Sequence, residues 1–307
     1  DYFDRYFDNT PNYHWSGKGS VGYIWAIRPG MFLDSRYEYE YKYSHEVSDL
    51  FRLDNLYNSV GDNRPLGWLP SKMGYDTSLD PDNSFDSNKR ENYHSINFKW
   101  SWSPKGKLYF SLNLPIVYRN QHIHYVRGSI NTSFSRCKTY IGNASFDANY
   151  LGRVHRFYFT YSRKVSSPDL IDMVEFKNDL DPLNVRLGNP KLKDEAVHNI
   201  SFRYRKDSKK YQSYRLYATI LQNAIAYGYG YDSSTGVKTG KMYNVNGNYM
   251  LGLSQYFSFG FGSMERFRFG NTTTLDYRRS ADLISENTSS PMKNKVGNLL
   301  FSADIEL

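Results

Sequence analysis

His122 and His124, one residue apart in "QHIHY", come closest in this chain to a metal-ligand pair. On a strand this spacing puts both rings on one face, where two imidazoles could bind a transition metal if other ligands joined them. No further ligands can be identified, so the pair reads as exposed polar side chains. The run "DPDNSFD" offers Asp80, Asp82, Ser84 and Asp86 as alternate oxygen donors, as calcium loops do. It lacks the glycine and the closing glutamate of such a loop, and reads as a solvated turn. The single cysteine, Cys137, excludes an intrachain disulfide and a thiolate metal site. No Ser-His or paired-carboxylate constellation is recognisable, so the chain is expected to have no catalytic, metal or cofactor site and not to be an enzyme.

The elements that carry these residues have a period of two. In "LDSRYEYEYKYSH", Tyr37, Tyr39, Tyr41 and Tyr43 share one face, and Asp34, Arg36, Glu38, Glu40 and Lys42 share the other. Similar runs recur along the chain, about eleven in all. Aromatics make up 17% of the 307 residues, with 29 Tyr and 19 Phe, while hydrophobic residues reach only 39%. Tyrosine suits a pleated surface with one wet side. No stretch approaches the roughly 20 apolar residues of a spanning helix. The net charge of +8 is dispersed, with 39 Lys and Arg among 31 Asp and Glu, which leaves no basic stripe for nucleic acid.

Short turns are expected near residues 28–30, 103–106, 151–154, 206–209 and 262–265. Long links are expected at 46–91, 126–138, 163–196, 230–241 and 279–293. Tight turns on one rim and long loops on the other are the pattern of an outer-membrane barrel. A soluble sandwich also alternates, but two features favour the membrane. The apolar faces carry no charge, as a lipid-facing wall requires, and aromatics crowd the short-turn ends: Trp25, Trp100, Trp102, Phe157, Phe159, Phe261 and Phe267. These seven are expected to form an interfacial girdle. The expected fold is all-β, a transmembrane antiparallel up-and-down β-barrel. An odd strand number suggests that residues 1–307 form part of a larger barrel, with no plug domain among them. In the long loops, Phe51, Tyr57, Trp68 and Tyr75 are the candidate ligand contacts. Outer-membrane lipid, and lipopolysaccharide phosphates near the basic outer rim, are the expected surroundings.

One segment breaks the alternation. "SSPDL" followed by "LGNPKLKDE" resembles the paired Pro-Ser-Leu and Asn-Pro-x-Leu-Lys-Pro-Glu signatures of TonB-dependent receptor barrels, through Pro168, Leu170, Gly188, Asn189, Pro190, Leu192 and Glu195. Asp194 stands where that family usually has a second proline. "DPLNVRLGNPKLKDEAVHNISFRY" and "TGVKTGKMYNVNGNY" are similar to the outer membrane β-barrel family of Bacteroidetes-type bacteria. The resemblance implies a barrel of about 22 strands with a plug in its lumen. It also implies an inner-membrane TonB-type energy-coupling complex as partner and uptake of a nutrient from outside. The alternative is a plugless outer-membrane barrel with a structural or adhesive role. The motif residues themselves are expected to be architectural: Gly188 for its backbone freedom, Pro190 for its fixed φ, Leu192 for packing on the rim.

Overall fold

A computed structural model describes residues 5–53, 72–175, 177–178, 181, 183–261, 267–284 and 292–306. Its strands are β1 (Arg5–Asp8), β2 (Tyr13–Arg28), β3 (Met31–Arg52), β4 (Phe85–Trp102), β5 (Leu108–Arg127), β6 (Ile130–Ile141), β7 (Ser145–Leu151), β8 (His155–Ser166), β9 (Lys177–Asn178), β10 (Asn184–Leu187), β11 (Glu195–Lys206), β12 (Lys210–Gln222), β13 (Ala224–Asp232), β14 (Val237–Val245), β15 (Asn248–Phe261), β16 (Phe267–Ile284) and β17 (Met292–Glu306). Thirteen of them form one antiparallel wall. Within it β1 and β2 both pair with β3, and β6 and β7 both pair with β5, so the wall has eleven strand positions, the number expected from periodicity.

Register explains why the two faces differ. Phe159, Phe202, Leu216, Leu253, Leu275 and Phe301 align across six neighbouring strands. One residue along, Tyr158, Arg203, Arg215, Ser254, Thr274 and Ser302 align on the opposite face. A slip of one residue would exchange these rows, so burial of one face fixes the pairing. On the other half of the wall, Trp25, Leu33, Trp100, Leu112 and Phe146 form an apolar row beside the short turns. Leu299 at 70% and Phe301 at 64% exposure belong to a continuous uncovered apolar face, which water would penalise and hydrocarbon accepts. No described helix is long and apolar enough to cross a membrane; the candidate crossing elements are strands.

Two expected links turn out to be structure. Residues 126–138 are not a long loop: β5 and β6 form a hairpin closed at Gly128, whose φ is +53°. Periodicity missed this because the hydrophobic phase inverts along β5. Up to Tyr118 the apolar side chains, Leu112, Leu114 and Ile116, share the face of Trp100 and Ile96. Beyond it that face carries Asn120, His122 and His124, while Ile123 and Tyr125 are buried on the other. Residues 230–241 likewise belong to a β13–β14 hairpin, which leaves the wall and joins β10 and β9 in a four-stranded sheet. The kink between β12 and β13 is at Asn223, in the left-handed region at φ +54°, a conformation Asn tolerates better than other side chains.

A break in the wall has a local cause. Pro115, mid-way along β5, has no N–H for the ladder. Opposite it, three steps from Asn113 to Ile116 face four from Ile141 to Ser145, a one-residue bulge between β6 and β7.

Placing Arg at Leu112, on the apolar face in the row of Trp25 and Trp100, should cost about 1 kcal/mol, less than the roughly 2–4 kcal/mol of mid-depth, and reduce the folded, heat-modifiable fraction on gel electrophoresis. Arg at the adjacent Asn113, on the polar face, should be tolerated. Equal losses in both variants would contradict the assignment of the faces.

Candidate functional site

The inner face is defined by what packs on it. After β8 the chain turns back over β5 and β6, and Leu170 and Val174 bury against Ile123 and Tyr125, flanked by Phe85, Phe134 and Ile171. Asp169 starts this return by accepting a hydrogen bond from the Ile171 amide at 3.1 Å. Arg127, at the end of β5, donates to the carbonyls of Asp82 and Lys177 and to Asn83 Oδ1, joining two loops to the strand tip.

The return segment ends on a buried ion cluster. Asp194 lies 2.8 Å from Arg119 Nη2, 3.1 Å from Arg136 Nη1 and 2.9 Å from Lys138 Nζ, with the Asp194 side chain 4% and that of Arg119 1% exposed. Arg119 and Lys138 also stand over the Tyr140 ring, at 5.1 and 5.9 Å from its centroid. Burial pushes the Asp194 carboxyl up, but hydrogen bonds from Arg119 and Lys138 outweigh it and hold its pKa below the ordinary carboxylate value. The residue that departs from the receptor motif is therefore the centre of the anchor.

The motif residues around it are joined to three parts of the fold. The Asn189 amide donates to the Asp172 carbonyl at 2.7 Å, and Asn189 Nδ2 donates to the Met242 carbonyl of β14 at 2.8 Å. Asn189 Oδ1 accepts from the Lys191 amide across Pro190, as a turn-forming Asn does. Leu192 is 3% exposed. Glu195 accepts from the Ile225 amide, and Asn244 both accepts from and donates to the backbone of Lys193. Gly188 serves a different purpose from the one expected. Its φ is not positive; a Cβ there would lie 1.6 Å from the Val174 carbonyl oxygen, so glycine is required by close backbone approach. Leu170 and Pro168 belong to the same return, Leu170 in its core and Pro168 at a cavity edge.

That cavity, of about 860 Å³, lies between the wall and residues 167–170; Lys42, Lys89, Glu91, Tyr93, Arg119 and Gln121 are among its lining. Lys42 pairs with Glu40 and stands 5.0 Å above the Tyr93 ring. Lys89 pairs with Glu46 and Asp169. Glu91 accepts from Gln121 Nε2 at 2.8 Å and from the Tyr93 hydroxyl. Arg119 and Gln121 were missed from sequence because nothing in a strand shows which loop will cover it. The available signal was Asp194 in place of proline.

The other candidates are dispersed. Phe51 and Tyr75 are each 5% exposed, packed on one another with ring centroids 4.8 Å apart and on Tyr6, so their rings are occupied by the protein itself. Tyr57 and Trp68 fall outside the described residues. His122 and His124 share a face, each hydrogen-bonded to a serine of β6, Ser135 and Ser133. Asp80 binds Asn83, Asp86 binds His45, and no described His, Cys, Asp and Glu group could hold a metal. Cys137 is exposed and contacts Asn120. The aromatic set sits on the apolar face near the short turns. Trp100 and Trp102 are 6.0 Å apart, Phe261 stacks on Phe267 at 5.5 Å, Trp25 contacts Tyr23, Phe157 contacts Tyr150, and Phe159 contacts Phe146.

Asp194→Asn should weaken docking of residues 167–174 and 188–194 by about 3–5 kcal/mol, because Arg119 is left buried with a neutral partner. Faster amide exchange in this segment, with the wall still protected, is the expected readout; unchanged exchange would dissociate the ion cluster from docking. The depressed pKa sets the sign of the pH dependence. The anchor is complete above the unfolded value of 3.8 and is lost only as pH falls through the lower folded value, so the segment's protection factors, which allow for the pH dependence of intrinsic exchange, should be flat from pH 5 to 8. Gly188→Ala should release the same segment through the clash with Val174.

Among solved structures, a double mutant of the Serratia marcescens hemophore receptor HasR, in complex with its hemophore HasA and heme, is 10% identical with a TM-score of 0.45, over 97% of this chain and 54% of that one. The ferric citrate transporter FecA in its unliganded form is 11% identical with a TM-score of 0.45, over 98% and 48%. The closed form of the ferric-catecholate import receptor Fiu from E. coli K12 is 11% identical with a TM-score of 0.42, over 95% and 54%. The chain spans about half the length of these proteins, and likeness at this level leaves ligand and partner open. No curated protein matches the chain. Residues 148–305, more than half of the sequence, match the outer membrane protein beta-barrel family, and the chain, an outer-membrane β-barrel protein, belongs to that family.

Proposed function

We propose that the chain is the barrel portion of a TonB-dependent receptor-like importer that takes up a nutrient from outside a Bacteroidetes-type cell. The observation that carries this reading is the packing of residues 167–174 over the inner wall, with Asp194 anchored beside them, which leaves a polar cavity beneath. A barrel with only a structural or adhesive role does not require such a cavity. The receptor-type motif of Pro168 to Glu195 supports the same reading, since its residues build the roof.

In this reading residues 1–307 are one part of a larger barrel. Support comes from β2 and β17, each paired on one side only among the described residues, because an unpaired ladder is not tolerated in hydrocarbon. A plug of the longer protein occupies the lumen, and a TonB-type complex supplies energy. Trp25, Trp100, Trp102, Phe157, Phe159, Phe261 and Phe267 form the girdle at the short-turn rim, and lipid and lipopolysaccharide surround the wall. The protein moves its ligand without altering it.

The longer protein reconstituted in liposomes should not pass sugars passively, and ligand uptake by intact cells should stop when a protonophore collapses the inner-membrane gradient. Rapid liposome swelling, or uptake indifferent to the protonophore, would reject the importer.

A further inference from the structure

Cations of the inner wall are commonly paired. Between β2 and β6, Lys18 meets Glu38, Arg36 meets Asp34, Lys42 meets Glu40, Lys89 meets Glu46 and Arg119 meets Asp194. On β11 and β12 two arginines break this habit. Arg203 and Arg215 are directly opposite one another in the ladder, on the face away from Phe202 and Leu216, and like charges so placed repel. Arg215 donates to Ser201 Oγ at 3.1 Å and stands 5.1 Å from the Tyr217 ring centroid. Among the described residues neither arginine has a carboxylate partner. The carboxylates in the neighbouring rows are engaged elsewhere: Asp207 bridges Arg156 and Arg205, and Asp276 accepts from the Tyr217 hydroxyl.

The two arginines border a second, smaller cavity of about 220 Å³, separate from the one beneath residues 167–170. The rest of its lining carries hydroxyls: Ser213, Tyr217, Ser254, Tyr256 and Thr274. Among the described residues the hydroxyls of Ser213, Ser254, Tyr256 and Thr274 have no hydrogen-bond partner, while that of Tyr217 is held by Asp276. Two permanent cations and four free hydroxyls, drawn from β11, β12, β15 and β16, thus face one small space with no carboxylate in its lining. The apolar row behind it, Phe202, Leu216, Leu253 and Leu275, sets it at the level of the lipid-facing band, where low-dielectric walls focus a field of one sign. A cationic ligand is repelled there. A neutral polyol would engage the hydroxyls but leave two opposed guanidinium charges uncompensated. A carboxylate offers two oxygens, whereas a phosphate group offers at least three, and guanidinium binds it through parallel hydrogen bonds. The volume lies below the roughly 300–1,000 Å³ of sites for larger ligands, which suits one such group.

We infer that this cavity is a binding site for a phosphate group, carried by inorganic phosphate or by a small phosphate monoester. Arg203 and Arg215 supply the charge, and Ser213, Ser254, Tyr256 and Thr274 supply hydroxyl donors. A bound dianion offsets the repulsion between the two arginines, so the ligand also steadies the β11–β12 pair. The inference goes beyond the import reading and does not depend on it, since the site belongs to the wall itself.

The test is calorimetric titration of the purified longer protein with inorganic phosphate, glycerol 3-phosphate and acetate, in about 0.15 M salt to screen dispersed surface charge. At least one of the two phosphates should bind, and acetate should bind at least tenfold more weakly. Arg203→Gln and Arg215→Gln should each weaken phosphate binding about tenfold or more, with heat-modifiable migration retained because each change relieves a repulsion. Lys18→Gln, which alters a paired cation on the other half of the wall, should leave binding unchanged. Equal binding of the two phosphates assigns recognition to the phosphate group itself, and binding of glycerol 3-phosphate alone assigns it to a monoester; both uphold the site. The inference is overturned if neither phosphate binds, as when a carboxylate of the longer protein already sits on the arginines. Acetate binding as tightly as phosphate, binding that survives loss of both arginines, or an equal effect of Lys18→Gln would also overturn it.

Discussion

A carboxylate taken out of water must be matched by charge and hydrogen bonds, and Asp194 meets that condition only where three cations of two strands converge. Much of the local architecture follows from it. β5 must run past the apolar band to bring up Arg119, and β6 must return beside it with Arg136 and Lys138 in register. The chain after β8 must come back over the wall to deliver the aspartate. The bonds of Asn189, Asn244 and Glu195 then tie the β13–β14 hairpin to the same point. A proline at position 194 could satisfy none of the three cations, so this chain holds its roof by electrostatics where the motif offers only backbone stiffness.

β5 spans two environments with one backbone. Over its first half the side chains facing away from the interior are apolar; over its second half the apolar side chains face inward, against the returning segment. The reversal occurs without any change in strand geometry, because the dyad repeat is indifferent to which face is dry. What changes is the neighbour: hydrocarbon along the first half, protein along the second.

This reversal also marks what could be read from the sequence. Eleven strand positions and the tight turns near 28–30, 103–106, 151–154 and 206–209 were legible, since each depends on local alternation or turn chemistry, while the turn expected at 262–265 lies outside the described residues. The hairpin at Gly128 was not, because polar residues such as His122, Asn131 and Ser133 occupy positions that periodicity expects to be apolar in a membrane wall. Gly188 was recognised as special for the wrong reason: its constraint is the Val174 carbonyl, fourteen residues earlier in the chain, which no local pattern reports. Arg119 and Gln121 look like ordinary strand residues until the roof is placed above them. Phe51 and Tyr75, expected to be loop aromatics, show the converse: Phe51 lies on β3, which runs on to Arg52, and its ring packs on those of Tyr75 and Tyr6.

Arg119 and Asp194 are 75 residues apart in sequence. A barrel built by adding hairpins in chain order would have β5 and β6 in place well before the aspartate is delivered, with two arginines and a lysine facing an interior still open to water. Closing so long a loop costs entropy that only the completed contact returns. The cavity therefore exists only when both ends of that loop are in place.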